Sequence, residues 1–121
     1  MKPRVLVARQ VFAAVLERLA GHFEVEANTQ PVDWPQPELI RRLQGKAGVF
    51  VAGTEPIDAT LLAACPELRA VCSMAVGYNN IDVPACSARG MQFTTAPAVL
   101  TESPADFGFA LMMAAARRIT E

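Results

Sequence analysis

The sequence predicts an α/β protein built on one five-stranded parallel sheet. Short strand-like runs alternate with helix-like segments from the first residues onward, the connections are short, and no internal repeat interrupts the alternation. Parallel strands are joined by right-handed crossovers, which place helices on the sheet. We therefore expect a sheet over residues 3–97 that helices cover on both faces.

Composition and charge narrow the class of protein. The chain has 121 residues, of which 52% are apolar, enough for the core of one domain. With 11 Lys and Arg against 12 Asp and Glu, the net charge is −1, which argues against a nucleic-acid partner. A single histidine, His22, argues against a zinc site, so no metal is expected. Three cysteines without C-x-x-C spacing suit a reducing compartment, as small core residues: Cys65, Cys72 and Cys86.

Strands are predicted from the two patterns of apolar residues that strands show. Residues 5–8 are continuously apolar, as in a buried parallel strand, whereas residues 23–27 alternate with period two and indicate a strand near the sheet edge. The five predicted strands are residues 5–8, 23–27, 49–51, 68–73 and 92–95.

Helices are predicted between the strands from apolar spacing and from capping residues. Asp58 and Asp82 stand where N-caps are expected, Gly21 ends the first helix, and Gly90 suits the position after the fourth. The four predicted helices are residues 11–19, 38–43, 59–64 and 83–89. Together with the strands, they indicate a sheet of the flavodoxin-like type.

A fifth helix is predicted from its start signals. Ser103 suits the N-cap, Pro104 the first helical position and Asp106 the third. Residues 107–116 are apolar around the whole circumference, although a helix on one sheet needs only one apolar stripe. We therefore expect a partner for this helix: another domain, a second subunit, or both.

The domain boundaries and the cellular location of the protein are predicted from the segments described above. We predict a domain over residues 1–100 and an interdomain or dimerisation helix over 101–121, with a homodimer formed through residues 103–119. The apolar run at residues 5–8 is too short for a signal peptide, and the apolar run of the last helix is about half a membrane span. These observations predict a cytoplasmic protein that is not inserted in a membrane.

The segment after the fourth strand is the candidate site. Residues 73–82 include Gly77 and follow the strand directly, and ligands of open parallel sheets bind beyond the carboxyl ends of the strands. A glycine turn there can present backbone N–H groups to an anion, although the same residues also suit an ordinary turn. No G-x-G-x-x-G occurs, so the chain carries no dinucleotide fingerprint.

The same segment and the residues C-terminal to it resemble a known family. The chain is similar to the D-isomer-specific 2-hydroxyacid dehydrogenases, and within them to the glyoxylate/hydroxypyruvate and 2-ketogluconate reductases. The resemblance is specific over residues 68–121 and topological over 1–67. It is carried, in order, by residues 76–82, 88–90, 95–102, 105–106 and 114–118.

The resemblance implies a two-domain enzyme that reduces a small 2-oxoacid with NAD or NADP. This chain would be its flavodoxin-like substrate-binding domain, followed by a Rossmann domain. The backbone amides of Val76 and Gly77 would hold the carboxylate of the 2-oxoacid, and the loop containing Gly53 would line the pocket. Thr101 matches a threonine that lies close to the nicotinamide cofactor.

The family pattern is incomplete in this sequence. The cofactor glycines, the substrate-clamping arginine and the Glu–His acid pair have no counterpart here, so no catalytic residue is assigned. We expect the 121-residue chain alone to bind no cofactor and to lack reductase activity. The alternative function is that of a free-standing, non-catalytic binding or interaction module of the flavodoxin-like type.

Overall fold

The computed structural model describes residues 1–121 and shows five strands alternating with five helices. The strands are β1 (Arg4–Val7), β2 (Glu24–Ala27), β3 (Gly48–Val51), β4 (Ala70–Ser73) and β5 (Gln92–Thr94). The helices are α1 (Ala13–Ala20), α2 (Gln36–Leu43), α3 (Ala59–Ala64), α4 (Val83–Ala88) and α5 (Glu102–Ala116).

All five strands run parallel in one sheet, in the order β2-β1-β3-β4-β5. This is the flavodoxin-like order, so the predicted fold class is confirmed. β2 lies at the edge, as its alternating sequence predicts. Because the strands are parallel, the loops that follow β1, β3 and β4 emerge at the same edge of the sheet.

The core lies on one face of the sheet. Side chains of β1, β3 and β4 there pack with α2, α3 and α4, and the central members, such as Leu6, Leu61 and Val71, are fully buried. The cluster consists of Leu6, Ala8, Leu39, Leu43, Val49, Val51, Ile57, Leu61, Leu62, Cys65, Leu68, Val71, Ile81 and Cys86.

The opposite face is largely open, which corrects the expectation that helices cover both faces. α1 packs beside β2 but has no buried residue. Beyond α1, a groove of about 510 Å³ runs along the strands, lined among others by Phe50, Ala70 and Cys72. Cys72 is therefore exposed, contrary to the prediction of a core residue, because alternate residues of β4 point to opposite faces. Cys65 and Cys86 are buried as predicted.

The helix caps of the core face follow the predictions. Asp58 Oδ1 accepts a hydrogen bond from the backbone N–H of Leu61, and Asp82 Oδ1 accepts one from that of Ala85, each at 2.9 Å. Gly90 follows α4 with φ +64°, a left-handed conformation that favours glycine. Each of these features depends only on residues close in sequence.

One predicted helix start is wrong. α5 begins at Glu102 with Thr101 as its N-cap residue, so Ser103 and Pro104 lie within the first turn and Ser103 caps nothing. Proline fits there because the first four N–H groups of a helix have no intrahelical partner. Gly21 is the C-cap that ends α1, as predicted, although its φ of −58° is not left-handed.

α5 is apolar around its circumference and none of its residues is buried. Phe107, Phe109, Leu111 and Met112 are each more than half exposed. None of the five helices is long and apolar enough to cross a membrane. An apolar surface of this kind is typical of a helix that contacts another protein segment.

We predict that the Asp58→Ala variant is less stable by about 1 kcal/mol at pH 7, because the N-cap of α3 is lost. Hydrogen bonds from the Leu61 N–H and the Gln36 amide lower the pKa of Asp58 below its ordinary 3.8. The cap therefore stabilises the fold fully above that value, and its contribution is lost as the pH falls through the lower pKa of the folded state. Urea unfolding at pH 7 and pH 2.5 measures both effects.

Asp106→Ala is the matched control, because the Asp106 carboxylate is exposed and makes no hydrogen bond within the chain. If the free energies of unfolding of wild type and Asp58→Ala differ by the same amount at both pH values, the assignment of the ionised Asp58 carboxylate as the N-cap of α3 is contradicted.

Candidate functional site

Two loops meet at the carboxyl edge of the sheet. One follows β3 (residues 52–57) and the other follows β4 (residues 74–82), and we call them together the two-loop site. The N–H of Met74 donates to the carbonyl of Val51 at 2.9 Å, and the N–H of Ile57 donates to the carbonyl of Asn80 at 2.8 Å. The pairing of β3 with β4 thus continues into the loops, and the structure brings the segments of Gly53, Val76 and Gly77 to one edge.

The backbone N–H groups of Gly53, Val76 and Gly77 donate no hydrogen bond within the chain. All three residues are exposed, with Val76 at 44%. Unpaired N–H groups at the carboxyl edge of a parallel sheet can bind an anion such as a carboxylate. The N–H groups of Val76 and Gly77, the two predicted donors, are therefore unpaired, and Gly53, the predicted lining residue, lies in the neighbouring loop.

Gly77 is not required by the fold of this chain. Its φ is not left-handed, and a Cβ built on it would lie within 4 Å of no other atom. A side chain there would extend into open space. Gly90 differs, because its left-handed φ is itself a reason for glycine.

Polar side chains fix the loop that follows β4. Ser73 Oγ accepts a hydrogen bond from the N–H of Ala75 at 3.1 Å, and the N–H of Ala96 donates to the carbonyl of Ala75 at 3.0 Å. The ring of Tyr78 packs edge-on against Phe93 at 5.7 Å between centroids. These contacts hold the turn that carries Val76 and Gly77.

An ion pair that sequence reasoning missed lies beneath the loop that follows β3. Arg9, after β1, donates from Nε to Oε1 of Glu55 at 3.0 Å, and Glu55 is only 2% exposed. The other oxygen of Glu55, Oε2, accepts from the N–H of Ala52 at 2.7 Å. Arg9 also contacts Asp33 and Thr54. The sequence contains no signal for this pair, because its members are 46 residues apart and meet through strand order.

Thr101, the predicted cofactor contact, lies at the start of α5. It is exposed, and its Oγ1 donates to the carbonyl of Ala98 at 3.5 Å. One hydroxyl group can contact a dinucleotide but cannot hold it.

The cysteine, histidine and acidic side chains can be compared with the requirements of a metal site and of a nucleophile. No group of three His, Cys, Asp or Glu residues is arranged to hold a metal ion. Burial raises the pKa of the Cys65 and Cys86 thiols, which keeps them neutral and poorly nucleophilic. What the two-loop site offers is backbone N–H groups for binding an anion.

Comparisons with known proteins agree with this fold. Residues 5–121 match the family model of the D-isomer specific 2-hydroxyacid dehydrogenase, catalytic domain. A glyoxylate reductase from Korarchaeum cryptofilum is 43% identical over 121 residues, which are 100% of this chain and 36% of that protein.

Two solved structures superpose on the chain. One, from Thermus thermophilus, has a TM-score of 0.89 at 35% identity, covering 97% of this chain and 38% of that one. The other is an NADPH-dependent glyoxylate/hydroxypyruvate reductase from Sinorhizobium meliloti in complex with NADP and malonate. It has a TM-score of 0.73 at 32% identity, covering 94% of this chain and 34% of that one. The chain thus spans little more than a third of the length of these relatives.

We predict opposite effects on stability for alanine at two exposed glycines. Gly77→Ala should raise the free energy of unfolding by about 0.5 kcal/mol, because its conformation suits alanine and the unfolded chain loses entropy. Gly90→Ala should lower it by about 1 kcal/mol, because alanine is strained at positive φ. Chemical denaturation measures both. A Gly77→Ala variant that is markedly destabilised would show that the fold itself requires this glycine.

Proposed function

Because the chain belongs to the D-isomer specific 2-hydroxyacid dehydrogenase family, we propose that it is the substrate-binding domain of an NAD(P)-dependent enzyme of that family. The substrate class is a small 2-oxoacid of the glyoxylate or hydroxypyruvate type, as the names of the relatives suggest. The observation that carries the proposal is the two-loop site, where the N–H groups of Gly53, Val76 and Gly77 are free.

The role of this domain is to bind and orient the carboxylate of the substrate. The N–H groups of Val76 and Gly77 donate to the carboxylate oxygens, and the loop of Gly53 forms the wall beside it. Backbone donors on short loops between packed elements are well positioned for this task, and orientation of the reacting carbon is itself a large part of catalysis. The donors bind the carboxylate that all 2-oxoacids share, so they do not select among them.

The chemical step needs groups that we assign to a second domain. When bound, a nicotinamide cofactor supplies the hydride that reduces the 2-oxo carbon. We place the proton donor and the arginine that polarises the carbonyl in the cofactor-binding part of the enzyme. The length of the relatives, nearly three times that of this chain, supports this division. Thr101, at the start of α5, would contact the cofactor from this side.

We also propose that α5 mediates a homodimer through residues 103–119. Its large apolar side chains are exposed on all sides, and burying each one stabilises an interface by roughly 1.5–3 kcal/mol. A second copy of the same helix offers a matching apolar surface, as twofold dimers require.

We predict that oxalate, a stable dicarboxylate analogue of a 2-oxoacid, binds the 121-residue chain with saturable, millimolar affinity. In an amide NMR titration, the resonances of Gly53, Val76 and Gly77 should shift together, because these N–H groups are free to donate. The neutral analogue oxamide is the ligand control. The chain should not oxidise NADPH in the presence of glyoxylate.

Gly77→Ala should weaken oxalate binding, whereas Gly108→Ala, at an equally open position on α5, should not. If oxalate shifts no amide resonances, or shifts resonances scattered over the surface, binding of the carboxylate at the two-loop site is refuted. Measurable NADPH oxidation by the chain alone would refute the assignment of the chemical step to a second domain.

We predict that the wild-type chain sediments as a dimer at high micromolar concentration and that Phe109→Asp converts it to a monomer. Phe109 is 63% exposed in the middle of α5, and a buried, unpaired carboxylate at the interface costs several kcal/mol. Phe12→Asp is the matched control, because Phe12 is 87% exposed but lies outside α5. A wild-type monomer, or a Phe109→Asp dimer, would contradict the proposal.

A further inference from the structure

We propose that Arg9 and Glu55 are positioning residues for the two-loop site: their ion pair holds the loop after β3, and through Asn80 the loop after β4, in the geometry that binds the carboxylate. The inference rests on the proposed function, since it concerns the geometry of the same site. Neither residue is assigned a contact with the substrate.

Glu55 holds its own loop from within. Its carboxylate is almost completely buried and accepts from Arg9 Nε through one oxygen and from the N–H of Ala52 through the other. Charge-assisted hydrogen bonds of this kind are stronger than neutral ones. The bond to Ala52 closes the turn in which Gly53 and Thr54 lie, so the position of the Gly53 N–H depends on Glu55.

Asn80 transmits this position to the second loop. Its Nδ2 donates to the carbonyl of Ala52 at 3.0 Å and to the carbonyl of Glu55 at 2.8 Å. Ser73 Oγ adds a longer hydrogen bond of 3.5 Å to the Ala52 carbonyl. Asn80 lies three residues after Gly77 in the same loop, so the loop that carries the carboxylate donors is tied to the two peptide groups that Glu55 anchors.

Arg9 is better suited to positioning than to binding the substrate itself. Its Nε donates to Glu55, and its Nη2 contacts both Asp33 and Thr54, with the Asp33 oxygen at 2.6 Å. Thr54 Oγ1 donates in turn to Asp33 at 2.9 Å. Two carboxylates thus surround one guanidinium, which leaves the group with net negative charge and no attraction for an anion.

Stability alone gives little reason for this arrangement. Burying the Glu55 carboxylate in an ion pair contributes little to stability compared with well-packed apolar residues, because its charge must be desolvated. The neighbouring core residues Val51 and Ile57 are apolar and completely buried. An ion pair under a binding loop can instead specify one loop geometry, since its hydrogen bonds are directional.

The test compares Arg9→Gln and Glu55→Gln with wild type by oxalate titration, following the amide resonances of Val76 and Gly77. We expect each variant to weaken oxalate binding roughly tenfold, because misplaced donors lose part of their interaction. The double variant should bind oxalate with the same affinity as the single variant that binds it less tightly, since either substitution breaks the same pair.

Arg42→Gln is the matched control. Arg42 forms an ion pair with Glu26, and its side chain is 29% exposed, against 31% for Arg9. Urea unfolding of all variants measures the loss of stability. We expect Arg42→Gln to leave the affinity for oxalate unchanged, so the loss of an ion pair elsewhere in the chain would not reproduce the result for Arg9.

The outcomes separate the two proposals. If oxalate does not shift the Val76 and Gly77 resonances of the wild-type chain, the proposed function is refuted. If wild type binds and Arg9→Gln binds equally well, the positioning role fails. Tighter binding by Glu55→Gln would also overturn it, because a freed Arg9 would then be binding the anion directly. Should Glu55→Gln not fold, Arg9→Gln and Asn80→Ser decide the question, and unchanged affinity in both overturns the inference.

Discussion

The parallel pairing of β3 with β4 is the constraint on which the rest of the structure depends. Val51 lies opposite Ser73 at the ends of these strands, so the two following loops leave the sheet side by side. Hydrogen bonds from Met74 to Val51 and from Ile57 to Asn80 extend the pairing beyond the strands. Antiparallel pairing would have sent the loops to opposite edges, and no shared site could form.

The same topology explains why the chain has one buried face and one open face. Three of the four crossover helices, α2, α3 and α4, pack on the core side, and only α1 lies on the other. The fifth helix, α5, does not return to cover the open strands, and its side chains remain exposed. Two apolar surfaces, the groove beside α1 and the surface of α5, are thus left by the arrangement of this sheet and these helices.

The proposed site is built from backbone groups, and this determines how it can be recognised. Free N–H groups leave no signature in side-chain chemistry, so Val76 and Gly77 resemble an ordinary turn when the residues are considered alone. The resemblance to a family singled them out, and the fold itself does not require glycine at position 77. Side chains contribute from beneath, where Glu55 and Asn80 bind the loops that present these N–H groups.

Local sequence determined the alternation of strands and helices, the edge position of β2, the Asp58 and Asp82 caps and the left-handed Gly90, because each depends on neighbours along the chain. The residues around Ser103 predicted the wrong start for α5, because several residues could begin the helix and proline is tolerated inside the first turn.

Only the tertiary structure decided which face of the sheet is covered, that Cys72 is exposed, and that Arg9 meets Glu55. Each of these depends on strand order and crossover side, which bring distant residues together without leaving a pattern in the sequence around them.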